Sequence, residues 1–159
     1  MNFPYLSRQI LEVVTAPKVL RRPELLVKGK PLQFSSYGDK GRRIDLDLDL
    51  ADGVSLLALR FHVRAPIFDD STGFEAALIL ANARVRGIGW HATGKKRYYR
   101  QATPKGWHQN VIDPNLPPGH DDNNRHLPIN DFAPTDLAAF FASAAKIWNI
   151  TLPDEEYLL

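Results

Sequence analysis

Residues 44–64 read Ile44-Asp45-Leu46-Asp47-Leu48-Asp49-Leu50-Ala51-Asp52-Gly53-Val54-Ser55-Leu56-Leu57-Ala58-Leu59-Arg60-Phe61-His62-Val63-Arg64. Ile44, Leu46, Leu48 and Leu50 alternate strictly with Asp45, Asp47 and Asp49. A period of two belongs to a strand with one buried and one wet face. Asp52-Gly53 follows as a favoured two-residue hairpin turn, because both residue types tolerate positive φ. Pairing around that turn sets Asp45 opposite Arg60 and Leu48 opposite Leu57. One face then collects Leu46, Leu48, Leu50, Leu57, Leu59, Phe61 and Val63, and the other collects the three aspartates with Arg60, His62 and Arg64. A slip of one residue would mix the two sets. The stretch predicts an antiparallel hairpin.

Downstream, Phe74 to Trp90 is a second β region, opening with the apolar run Ala76–Ala81; the alanines leave a helix over 74–83 as the alternative. Gly87 and Gly89 signal a bulge or a close backbone approach. Thr93-Gly94 turns the chain into Lys95–Gln101 and predicts a second hairpin. Upstream, Leu6, Ile10, Leu11 and Val14 have helical spacing, which predicts a short helix over Ser7–Val14 stopped near Pro17. The basic stretch from Pro17 to Gly41, broken by Pro23, Gly29, Pro31 and Gly38, reads as irregular with one strand near Leu25–Val27. From Trp107 to Asp131 five prolines and glycines predict a long loop. A closing helix is expected over Pro134–Trp148, burying Leu137, Phe140, Phe141, Ala144, Ile147 and Trp148.

The expected class is α+β: an antiparallel meander of two hairpins, a short N-terminal helix, and a C-terminal helix packed on one face. Residues 1–159 are expected to form one domain: a basic helix and arm (1–43), the sheet (44–103), the loop (104–133), the helix (134–150) and an acidic tail (151–159). Apolar residues make up 44% and charged residues 24%, which excludes wholesale disorder. No apolar run is long enough to span a membrane, and the N-terminus has no basic region leading into an apolar one. With no cysteine there is no disulfide framework, zinc–thiolate site or thiol nucleophile. The expected address is the cytoplasm.

The net charge of +2 conceals four blocks: +6 over residues 1–43, −5 over 44–75, +7 over 76–112 and −6 over 113–159. The third block holds seven Lys/Arg and no acid. Such a stripe neutralises phosphates. An acidic protein partner, or compensation by the chain's own acidic blocks, are the competing explanations.

His91, His108, His120 and His126 fall within 36 residues, and only His62 lies outside. Histidine exchanges protons near neutral pH. Two of them beside a cation suffice for metal-independent RNA cleavage, one taking the 2′-hydroxyl proton and the other protonating the leaving oxygen. The expected acid/base pair is His108 and His126, with Arg97 and Arg100 holding the phosphate. Arg84, Arg86, Lys95, Lys96 and Lys105 are the further cations, and Tyr98, Tyr99 and Trp107 are candidate platforms for unpaired bases. The bland alternative is exposed polar histidines and core aromatics. His108, His120, His126, Asp121 and Asp122 are acceptable zinc or manganese ligands, but their spacings match no helix face or hairpin motif, so no metal or other cofactor is expected. The three aspartates of the first hairpin lie roughly 7 Å apart along a strand, and cross-strand ion pairing explains them better than magnesium. Glycine-rich phosphate loops, a nucleophile elbow, HExxH, helix-turn-helix and zinc-finger patterns are absent.

The order of an Arg-rich strand, Trp107-His108, a Pro/Asn/Asp-rich loop, Asn124-Arg125-His126-Leu127-Pro128 and a helix ending Trp148-Asn149-Ile150 carries a resemblance. Residues 86–152 resemble the histidine-bearing C-terminal parts of TumE-type small bacterial toxins and related uncharacterised families of toxin–antitoxin and phage-defence neighbourhoods. The resemblance implies a toxin-type endoribonuclease with RNA as substrate and an antitoxin as protein partner. The alternative is a non-enzymatic inhibitor or defence component that binds a nucleic-acid machine or an acidic protein through its basic face.

Overall fold

The computed structural model describes residues 7–26, 33–36, 38, 41–53, 58–68, 70–92, 105–112 and 124–153. In chain order these form α1 (Ser7–Thr15), β1 (Lys18–Leu20), β2 (Ser35–Ser36), β3 (Arg42–Leu50), β4 (Leu59–Ala65), β5 (Glu75–Leu80), β6 (Ala83–His91), β7 (Gly106–Ile112), β8 (Asn124–Pro128), α2 (Leu137–Ile147) and β9 (Ile150–Thr151). The strands make one mostly antiparallel sheet in the order β8-β7-β6-β5-β4-β3-β1-β9, with β2 paired to β3. The parallel contact is between β1 and β9. The fold is α+β, but with nine strands in the sheet among the described residues it exceeds the expected two hairpins.

The alternation of residues 44–63 builds β3 and β4 as antiparallel neighbours, two residues away from the expected register. Asp45 lies opposite His62, Leu46 opposite Phe61, and Asp47 opposite Arg60. Asp52 and Gly53 belong to a longer connection that ends at Ala58, which has φ +44°. An even shift preserves parity, so each side chain keeps its expected face. The ion pairs change instead: Asp45 bonds His62 Nδ1 at 2.7 Å, and Asp49 takes Arg21 at 2.9 Å. Arg64 pairs with Glu75 on β5, and Arg60 donates to Asn82 Oδ1 at 3.3 Å.

Residues 75–91 form a hairpin of strands, not a helix, closed by Ala81 and Asn82 at φ +49° and +66°. Two successive positive φ values match the right-handed twist of the flanking strands. The pairing shifts between Leu78 and Ile79, and this irregularity precedes the two glycines in β6. The segment expected as a loop from Trp107 to Asp131 contains most of β7 and all of β8, and β7 pairs with β6. Lys95–Gln101 and the end of the acidic tail lie outside the described residues. Of the strand expected near Leu25–Val27, Leu25 closes a 3-10 turn over Pro23–Leu25 and Val27 lies outside the described residues, while strand pairing occurs earlier, at β1.

α2 starts at Leu137, three residues after Pro134, behind the N-cap Asp136, whose carboxylate accepts from Ala139 N at 2.8 Å. Phe140, Phe141, Ala144, Ala145 and Trp148 are buried against the sheet. Phe61 meets Phe141 and Trp148 at 5.2 and 6.0 Å between ring centroids, and Phe74 meets Phe140 at 5.5 Å. Full burial of each such side chain contributes roughly 1.5–3 kcal/mol. Ile10 and Val14 of α1 join the same core. The helices therefore cover one face of the sheet, and the row of His62, Ala77, Gly87, Asn110 and His126 crosses the opposite face. Among the described residues no helix is long and apolar enough to cross a membrane.

Candidate functional site

On the face away from α2, cross-strand neighbours place small residues where the sheet would otherwise be paved. Ala77 pairs with Gly87, and Gly89 pairs with His108. A Cβ on Gly89 would sit 3.6 Å from His108 Cε1 and 3.8 Å from its Nε2, and a Cβ on Gly87 would lie 3.4 Å from Asn110 Nδ2. The missing side chains leave a trough of about 190 Å³ walled by Arg64, Glu75, Arg84, Asn110 and four histidines.

His91 from β6, His108 from β7 and His126 from β8 converge in it. One ring nitrogen of each lies within 4.8 Å of the others. His91 and His108 stack at 4.1 Å with 8° between planes; His108 and His126 are 5.2 Å apart, and His91 and His126 6.1 Å. His108 and His126 are buried, and His91 is half-buried. His108 Nδ1 lies 3.3 Å from the Gly106 carbonyl oxygen. A carbonyl only accepts, so Nδ1 donates in this contact, and in the neutral ring the lone pair is then on Nε2. His62 lines the same trough, held by Asp45. Asn110 Oδ1 is buried and finds no hydrogen-bond partner among the described residues.

The structure thus brings His108 and His126 together and adds His91, which the sequence reading grouped with them, and His62, which it did not. Arg84 lies on the open face at the trough. Arg86, two residues on and across a register shift, pairs with Leu78 on the helix side. It is buried, donates to the Val85 carbonyl at 2.7 Å, and burial holds its guanidinium pKa below the usual value. Trp107 also faces the helices, packing on Phe132 and Phe140 at 5.1 and 5.5 Å. These placements take Arg86 and Trp107 away from the trough. Lys105 is exposed just before β7. Lys95, Lys96, Arg97, Tyr98, Tyr99, Arg100, His120, Asp121 and Asp122 lie outside the described residues. His62 reaches the trough through the pairing of β4 with β5, which the sequence order alone does not give. No protein-family model matches this chain, and no match to it is found among curated proteins or solved structures.

Proposed function

We propose that this protein cleaves RNA in the histidine-lined trough, as an endoribonuclease of the toxin type acting in the cytoplasm. The observation that carries this reading is the gathering of His91, His108 and His126 from three neighbouring strands. Imidazoles clustered in a concave site are suited to reactions that move protons near neutral pH. Arg84 supports the choice of substrate: it brings a cation to the trough from the acid-free stretch 76–112. Arg97, Arg100 and Lys105, in or beside the segment between β6 and β7, are the further cations assigned to the phosphate.

The reaction class is transesterification. The 2′-oxygen attacks phosphorus, the O2′–P bond forms and the P–O5′ bond breaks. The 2′-hydroxyl proton passes to a base, and the leaving 5′-oxygen takes up a proton. The ends produced are a 2′,3′-cyclic phosphate and a 5′-hydroxyl.

Purified full-length protein incubated with single-stranded RNA is expected to release such ends. His108→Gln and His126→Gln, each with an unchanged circular dichroism spectrum, are expected to slow release by about 100-fold or more. Intact RNA after incubation with folded wild-type protein overturns the proposal, as does cleavage that survives both substitutions. Stoichiometric capture of an acidic protein with no turnover of RNA favours a binding module instead.

A further inference from the structure

We propose that His91, His108 and His126 together hold one divalent transition-metal ion of the zinc class, its fourth coordination position open to the trough. The site stands on its own geometry; only its use in RNA cleavage rests on the function proposed above. Three adjacent strands supply one imidazole each from the same face, and their nitrogens already lie within 4.8 Å of one another. Zinc–nitrogen bonds of about 2.0–2.1 Å in tetrahedral geometry put ligand nitrogens roughly 3.4 Å apart. Because an imidazole lone pair lies in its ring plane, closing that gap turns His91 and His108 out of their parallel stack.

The donor set selects the ion. Three imidazoles suit zinc, copper, nickel or iron, whereas magnesium and calcium take oxygen ligands. The surroundings fit as well. A metal-bound histidine usually donates its other ring N–H to a carbonyl or carboxylate. His108 Nδ1 lies 3.3 Å from Gly106 O, and with that bond made by the neutral ring Nε2 is the atom for the ion. Gly89 leaves open the space beside that atom. A trough of about 190 Å³ has room for a water on the ion. Asn110 Oδ1, buried there without a partner among the described residues, is an acceptor for that water.

The geometry also bears on the chemistry. In-line displacement at phosphorus puts the attacking and leaving oxygens on opposite sides. Three rings packed together on one sheet face meet a phosphate from one side. An ion held there would meet a phosphoryl oxygen from that side, and its bound water would take the proton-transfer role that the imidazoles have when no ion is bound.

The experiment uses the full chain, stripped with chelator and dialysed, then titrated with zinc chloride by calorimetry and with cobalt chloride by visible absorption. One ion per chain is expected, with the visible band of four-coordinate cobalt. His91→Gln, His108→Gln and His126→Gln are each expected to weaken zinc binding by about 100-fold or more, beyond what loss of an outer-shell partner costs. His62→Gln, in the trough but outside the trio, is expected to keep one-to-one binding. A folded wild-type chain that takes up no stoichiometric zinc and gives no cobalt band overturns the site, and so does binding unaltered in all three variants. RNA cleavage undiminished in EDTA with no ion bound overturns the ion's use in cleavage and leaves the ribonuclease standing. One-to-one zinc binding without RNA cleavage does the reverse.

Discussion

Lys18 shows how one residue can tie two helices to the sheet. It is fully buried in β1, and its Nζ donates to the carbonyls of Val14 and Ala16 at 2.7 Å and of Trp148 at 2.8 Å. Its three donors are thus spent on the ends of α1 and α2, where helical carbonyls lack internal partners. Burial lowers its pKa from 10.5 to about 8. The unfolded chain therefore holds more protons than the folded one between those values, and stability rises with pH across that window. The shift amounts to about 3 kcal/mol gained between pH 8 and 10.5. Lys18→Met removes both the donors and the titration. At pH 7.5 it is expected to be less stable than wild type by roughly 1–3 kcal/mol, because buried carbonyls lose their partners. The gap is expected to widen by pH 9.5. Urea unfolding of both proteins at the two pH values checks this, and a constant or narrowing gap refutes the lowered pKa.

Local sequence carries an element when it sets that element's period, and falls short when a partner strand does. The β3–β4 faces were legible because Asp/Leu alternation is a local property, whereas the register was not, because it depends on the length of the connection after Leu50. Strands of three and two residues, such as β1 and β9, are too short to show a period. In β7 the alternation is present, with Trp107, Gln109 and Val111 on one face and His108 and Asn110 on the other. Gln109 disguised it as polar on both sides. Its amide oxygen faces inward and accepts from Trp148 Nε1 at 2.9 Å, so a polar residue occupies a core-side position. The turn between β5 and β6 escaped notice because Ala81 is a poor residue for φ +49°. A Cβ in that region costs roughly 1–2 kcal/mol, and glycine returns about 0.5–1 kcal/mol as extra unfolded-state entropy. Ala81→Gly is therefore expected to stabilise the protein by about 0.5–1 kcal/mol. Ala77→Gly, in mid-strand with no left-handed φ, is expected to destabilise it. Midpoints of chemical unfolding decide, and a lower midpoint for Ala81→Gly removes the argument for strain at this turn.

The molecule as a whole divides its work between the two faces of one sheet, and this division gives the charge blocks their meaning. α1 and α2 cover one face; the other holds the trough and four of the five histidines. The grouping of His91, His108 and His126 was legible in the sequence. Their meeting point was not, because it arises from the order β6-β7-β8 and from glycines opposite or beside them. The acid-free block is likewise divided: Arg84 faces the trough, and Arg86 turns under the helices. The two arginines are therefore expected to fail differently when replaced by glutamine. For single-stranded RNA, each phosphate contact contributes about 0.7 to the slope of log affinity against log salt. Arg84→Gln is expected to weaken RNA binding and flatten that slope by about 0.7, with unfolding unchanged. Arg86→Gln is expected to leave the slope as it is and lower the unfolding midpoint, because it removes a buried group bonded to Val85 O. Fluorescence anisotropy across a salt series, beside urea unfolding of the same proteins, separates the outcomes. If Arg86→Gln flattens the slope and Arg84→Gln does not, the open face is not where RNA binds, and the trough loses its substrate.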